Sequence, residues 1–189
     1  LTGSPGPDSE PVASPDGRFI AYSGYTDKSQ AHQVTELRLM QTDGSGKKVL
    51  TADLDRSVSG LTWDAKSRGI YFTYDDKGNS RIGYVSLNGD VSKLADNLGG
   101  TSIGRPYGGG SFSVSRDGSL AYTFTRPEFP ADIAVVEKGD KAPKRITRLN
   151  QGLLDLRTLG KVEEIWYASS VDGRDIQGWI VYPPDYDPG

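Results

Sequence analysis

Few side chains in this sequence have the types and spacing that chemistry requires. The one histidine, His32, stands in the polar stretch Lys28-Ser29-Gln30-Ala31-His32-Gln33. A single imidazole cannot supply a multi-histidine metal site, and His32 reads as a surface-loop residue. There is no cysteine, which removes thiolate nucleophiles, disulfides and cysteine-based zinc sites. A serine nucleophile raised on a strand–turn–helix elbow needs Gly-x-Ser-x-Gly. The nearest runs, Gly44-Ser45-Gly46 and Gly110-Ser111-Phe112-Ser113, lack the second glycine at that spacing. Asp75-Asp76 precedes Lys77-Gly78-Asn79 at a hairpin end, but no segment sets acidic ligands at alternate positions before a closing glutamate, as a calcium loop does. That pair reads as a solvated turn. Glu163 and Glu164 are neighbours on a strand, where their side chains point to opposite faces, and they read as surface charges. The expectation is a chain with no catalytic residue, no metal ligand and no cofactor of its own, and with its substrate-binding residues unassigned.

The elements that would carry any site are short strands. The chain has 189 residues, 35% hydrophobic and 25% charged, with 24 glycines and 11 prolines. Abundant Tyr, Val, Ile and Thr between turn-forming residues suit many strands joined by tight turns. No stretch keeps apolar residues at helical spacing for ten or more positions, although a helical turn fits around Leu153-Leu154-Asp155-Leu156. The net charge of −3 comes from 22 basic and 25 acidic residues. It gives no electrostatic footprint for nucleic acid, and no polybasic run offers a membrane surface. No apolar run approaches the ~20 residues of a membrane helix. The opening Leu1-Thr2-Gly3-Ser4-Pro5-Gly6-Pro7 lacks the basic and apolar regions of a signal peptide and reads as the middle of a longer chain. Bacterial cytoplasm and periplasm both remain open as compartments.

Self-similarity is the strongest signal. Ser14-Pro15-Asp16-Gly17, Asp64-Ala65-Lys66-Ser67 and Ser115-Arg116-Asp117-Gly118 each separate two apolar strands, and the steps between them are 50 and 51 residues. A second strand pair follows each one. Leu37-Arg38-Leu39-Met40 leads to Lys48-Val49-Leu50, Ile82-Gly83-Tyr84-Val85 to Ser92-Lys93-Leu94, and Ile133-Ala134-Val135-Val136 to Arg145-Ile146-Thr147. Asp43-Gly44 and Asn88-Gly89 supply the positive φ of tight hairpin turns. A four-stranded unit of ~50 residues is a propeller blade. The fold class expected over residues 1–150 is therefore all-β, a partial β-propeller of about three four-stranded antiparallel blades.

Residues 151–189 break the repeat. Val162 to Ser170 and Ile176 to Tyr182 read as two strands around the turn Val171-Asp172-Gly173-Arg174-Asp175, closed by Pro183-Pro184. The order of blades, connector and then Trp166-Tyr167-Ala168-Ser169-Ser170-Val171-Asp172-Gly173-Arg174-Asp175-Ile176-Gln177-Gly178-Trp179-Ile180-Val181-Tyr182-Pro183-Pro184 resembles the prolyl oligopeptidase family of serine peptidases. The likeness is strongest to the acylaminoacyl-peptidase and dipeptidyl-peptidase-like branch. The resemblance covers the whole chain and is most specific from Ser170 to Pro184. It implies that residues 1–150 are the late part of the propeller, and that the hairpin opens an α/β-hydrolase domain.

The same resemblance implies that the propeller caps and gates a serine peptidase acting on short peptides, with hydrolysis on the rest of the hydrolase domain. The family's catalytic serine, aspartate and histidine have no matching positions here, so the chain alone is not an enzyme although its parent is expected to be one. The paired glutamates that hold a substrate amine in some members belong to a propeller insertion, and Glu163-Glu164 lies outside any such insertion. Arg105-Pro106-Tyr107-Gly108-Gly109-Gly110 and Arg126-Pro127-Glu128-Phe129-Pro130 are loops at blade ends that read first as ordinary connectors, and either could face the substrate cavity. The partners implied are the hydrolase domain, the remaining blades and peptide substrates. Three blades alone leave outer faces uncovered, so association with other copies or with those missing parts is expected. A TolB-type protein-binding propeller is the alternative, and it has no place for the hairpin. A metal-dependent glycan lyase propeller is disfavoured by the single histidine.

Overall fold

The computed structural model describes residues 2–3, 5–100 and 109–187. Three successive units fold as antiparallel strand sets. The first holds β1 (Asp8–Ala13), β2 (Phe19–Gly24), β3 (Glu36–Gln41) and β4 (Lys48–Val49), paired in that order. The second holds β5 (Val58–Trp63), β6 (Gly69–Asp76), β7 (Asn79–Ser86) and β8 (Val91–Leu98), and the third β9 (Phe112–Val114), β10 (Leu120–Arg126), β11 (Phe129–Val136) and β12 (Lys144–Arg145). A single helical turn, α1 (Gln151–Leu154), precedes a separate two-stranded sheet of β13 (Val162–Ala168) and β14 (Asp175–Val181). Among the described residues no helix is long and apolar enough to cross a membrane. The propeller-type fold expected from the repeat is the fold observed.

Alternation along the strands makes the core. On β6, Ile70, Phe72 and Tyr74 face the first blade and join Leu37, Leu39 and Val58. Tyr71, between them, points to the other face and joins Leu120, Tyr122 and Phe124 of the third blade. The second blade is thus buried on both sides, and it carries fully buried Ile70, Phe72, Ile82 and Val85. The outer face of the first blade is less open than three bare blades would suggest, because Tyr22, Arg38 and Met40 on it are buried. Arg38 is held there by Glu36 at 2.9 Å and Thr26 at 3.1 Å. Exposed large apolar side chains gather instead beyond Ile133, including Ile146, Leu149, Leu153 and Leu156.

The first strands of the first two blades carry the same irregularity. Register shifts occur between Ser9 and Val12 and between Ser59 and Thr62, the signature of a β-bulge. At the first bulge Glu10 takes φ +51, and its carboxylate accepts the N–H of Gly60 in the next blade at 3.0 Å. The third blade opens at the same place. Leu98 pairs with Phe124 as Val58 pairs with Tyr74 and Asp8 with Gly24. Pairing with β10 is taken up again at Phe112, so Leu98 and β9 share the place that one bulged strand fills in the other blades. Because β8 runs on into this pairing, the second and third units form one eight-stranded sheet. The sequence pattern had suggested two separate blades there.

The turns between the first two strands of each blade use the same local chemistry. Ser14 donates to Asp16 at 2.7 Å and accepts Phe19 N–H at 2.9 Å, while Asp16 accepts from the Arg18 backbone and side chain. Ser115 and Asp117 repeat the pair. In the second blade Asp64 alone bonds the N–H groups of Lys66 and Arg68, at 2.9 and 2.8 Å. The Ser14 hydroxyl, then Arg18, hold the exposed Asp16 carboxyl down at about 2.

Two expected outcomes follow from this architecture. Phe72→Ala, which removes a fully buried ring from the doubly covered blade, should cost about 3–5 kcal/mol in urea denaturation; a loss under about 1 kcal/mol would contradict the core described. The lowered Asp16 pKa means that its share of stability is present above the ordinary carboxylate range and is lost as pH falls through about 2. A carboxyl-detected NMR titration should find the Asp16 midpoint moved upward in Ser14→Ala, and an unmoved midpoint would show that the hydroxyl does not hold the charge.

Candidate functional site

The part of the chain set apart from the repeats is the hairpin, and its position is determined by contacts with the second blade. Seven residue pairs run from Val162↔Val181 to Ala168↔Asp175. The turn is closed by Ser169 and Arg174, with Gly173 at φ +71. A free two-stranded hairpin is marginal in water, so its faces need cover. One face carries Glu164, Trp166, Gln177 and Trp179. Glu164 accepts the Trp166 indole N–H at 2.7 Å and the Gln177 amide at 2.9 Å. This tie fixes both side chains against the turn that joins β6 and β7.

That turn is a tight one, with Lys77 at φ +50 and Gly78 at φ +68, as type I′ hairpins require. The Trp179 ring lies against Gly78 in the space a Cβ would occupy. Gln177 donates to the Lys77 carbonyl at 3.1 Å, and the Lys77 ammonium sits 5.7 Å from the Trp166 ring centroid. Beneath, Asp76 takes Arg56 at 3.0 Å and Arg81 at 2.5 Å. The cover is partial, since Trp166 and Trp179 stay about half exposed, and the hairpin's other face carries Tyr167, Ile176 and Ile180, all exposed as well. Among the described residues no metal-binding cluster of side chains forms there, and the contacts are those of a packing surface.

The residues singled out in the sequence are scattered. His32 lies in the loop between β2 and β3 beside a shallow cavity of about 240 Å³ that it shares with Tyr25, Lys28 and Glu36. Glu163 pairs with Lys161 at 2.9 Å, whose pKa the Glu163 hydrogen bond raises. Glu164 points the other way, to Trp166. Asp75 bonds Ser80 at 2.5 Å, in keeping with a turn residue. Asp76 departs from the solvated reading, because two guanidiniums enclose it and leave its side chain 15% exposed. Gly44-Ser45-Gly46 forms the β3–β4 turn, where Asp43 bonds the Ser45 N–H. Arg126 to Phe129 is the tight turn between β10 and β11, at the same end of the blades as Lys77-Gly78. Arg105 to Gly108 lie outside the described residues. Sequence reasoning missed Lys77, Gly78 and Gln177 as contact residues; a contact spanning 100 residues leaves no local signal.

No family model matches the chain. Its likeness to known proteins nevertheless runs along its length, and the proteins it resembles are prolyl oligopeptidase-family peptidases, in their propeller-type region. The sequence is 28% identical over 188 residues, 98% of this chain, to the dipeptidyl-peptidase 5 of Porphyromonas gingivalis, of which that stretch is 26%. The fold matches the Pyrococcus horikoshii acylaminoacyl peptidase with a TM-score of 0.67 at 18% identity, covering 92% of this chain and 25% of that one. It matches Porphyromonas gingivalis dipeptidyl peptidase 4 with a TM-score of 0.62 at 17% identity, covering 94% and 24%. The chain thus spans about a quarter of the length of the curated relative. The resemblance read from Ser170 to Pro184 stands.

The docking contact can be tested directly. In a Trp166→Phe background, Gly78→Val should displace Trp179, shift its emission to the red and raise its quenching by acrylamide. The emission of Trp63, which donates to the Val12 carbonyl at 2.9 Å, should stay put. An unaltered spectrum would mean that Trp179 does not rest on this turn.

Proposed function

We propose that this chain is the propeller side of a serine peptidase that hydrolyses short peptides. Residues 1–150 would form blades that cap and gate the active site, and residues 151–189 would be the connector and first hairpin of the α/β-hydrolase domain. The observation that carries this reading is the hairpin itself: one face is seated on the Lys77-Gly78 turn, and the other offers exposed Tyr167, Ile176 and Ile180. A strand pair with apolar side chains on both faces suits a sheet that continues. In this reading the sheet would lie at the blade end that carries the β2–β3 and β10–β11 loops, where entering peptides would be filtered. A peptidase relative that is similar over 98% of the chain supports the same reading. A TolB-type protein-binding propeller leaves β13–β14 without a role.

Catalysis in this reading belongs to the rest of the hydrolase domain, where a serine acyl-enzyme would form and be hydrolysed. The test is to express the full reading frame that contains this chain beside the 189-residue chain. Both are treated with a fluorophosphonate and assayed with dipeptidyl and acyl-aminoacyl p-nitroanilides. The longer protein should be labelled and release nitroaniline, and the 189-residue chain should do neither. An unlabelled, inactive longer protein would overturn the proposal.

A further inference from the structure

The two interfaces between blades use the same positions but fill them differently. Between the first and second blades, Phe19 stacks on Trp63 with ring centroids 6.5 Å apart. Ser67, at φ +56 where the other repeats have glycine, accepts the Asp16 N–H at 3.1 Å. The counterparts between the second and third blades are Gly69, Val114 and Gly118. Bulk is returned from elsewhere on the sheet: Ala21 and Leu39 of the first blade become Tyr71 and Tyr84 in the second. Their rings are 4.9 Å apart, and the Tyr84 ring covers Gly69.

The exchange does not close the interface. A cleft of about 330 Å³ remains between the turns of the second and third blades, at the end away from the hairpin. Tyr71 is 7% exposed and lines it. Its hydroxyl, 3.3 Å from where a Gly118 Cβ would lie, has no hydrogen-bond partner among the described residues. Burial raises the pKa of Tyr71, so the group is a donor awaiting an acceptor. Leu94, Leu120 and Val136 form apolar walls. Asp64 is committed to Arg68 at 3.2 Å and to the Tyr84 hydroxyl at 3.4 Å, and Asp117 to Ser115 and Ser119. Lys66, Arg116 and Lys138 also line the cleft and make no ion pair among the described residues.

We propose that this cleft binds a small organic carboxylate, with its apolar body between the tyrosine rings and Leu94 and its carboxylate on the Tyr71 hydroxyl beside Lys66 and Arg116. The Tyr71 hydroxyl opens into the cleft with no protein acceptor among the described residues, and hydrogen bonds to a charged acceptor are the strong ones. The site is independent of the peptidase reading, because it lies at the opposite end of the blades and uses residues of this chain alone.

The probe is 3-phenylpropionate, with 3-phenylpropionamide as its neutral counterpart, followed by saturation-transfer NMR and calorimetry on the 189-residue chain. The acid should bind and the amide should bind at least about tenfold more weakly. Tyr71→Phe and the rim variant Arg116→Ala should each weaken the acid about tenfold, and Leu94→Trp should block it. Arg116 is exposed, so that variant reports even if Tyr71→Phe unfolds. The proposal is overturned if the acid shows no saturation transfer, if the amide binds as tightly, or if Arg116→Ala binds like the parent chain.

Discussion

A four-stranded sheet with apolar residues on both faces cannot bury them alone, and every other feature of this chain follows from that constraint. The second blade meets it fully, presenting Phe72 to one neighbour and Tyr71 to the other. Strand alternation makes this economical, since one ladder serves two cores. The first strands of the blades then become structural joints. Trp63 and Gly60 bond back to Val12 and Glu10 in the preceding blade, so equivalent positions one repeat apart hold one another in register.

The hairpin obeys the same constraint by another route. It has no second sheet beside it within this chain, so it leans on a turn. A glycine with no side chain accepts an indole, and a carbonyl accepts an amide. The ion pairs of Asp76 with Arg56 and Arg81 stiffen the strand ends beneath. Such a contact orients the hairpin strongly for its small area, because Trp166 and Gln177 are themselves fixed through Glu164. The peptidase reading asks for this kind of orientation at a boundary between two bodies.

Much of the fold was legible because it is local and repeated. Ser14, Asp64 and Ser115 mark the turns through hydrogen bonds that span five residues or fewer, and the strands around them follow from alternation. The hairpin was equally plain. The bulge at Glu10 was not, since glutamate rarely takes positive φ and the residue is held there by a group 50 positions away. Asp76 was read as solvated because its two arginines come from elsewhere, Arg56 from the loop before β5 and Arg81 from β7. The joining of the second and third blades was hidden for a related reason: Leu98 pairs across to Phe124 only because the following segment leaves the strand. The cleft residues had a signal that went unused. Phe19 aligns with Gly69 and Trp63 with Val114, and a repeat that trades two aromatic rings for almost nothing must find its volume elsewhere or leave a gap.

The bulge in β1 and β5 has a consequence for how such a molecule can vary. A ladder normally transmits any change of length, since adding one residue turns every later side chain to the wrong face. At the bulge the ladder is already uncoupled, and pairing restarts afresh on its far side. The third blade exploits this: Leu98 keeps its partner before the break and Phe112 keeps its own after it, whatever number of residues stands between. The bulge is therefore a splice point, where a segment of new length and composition can be grafted while the pairing on either side of it stays as it was.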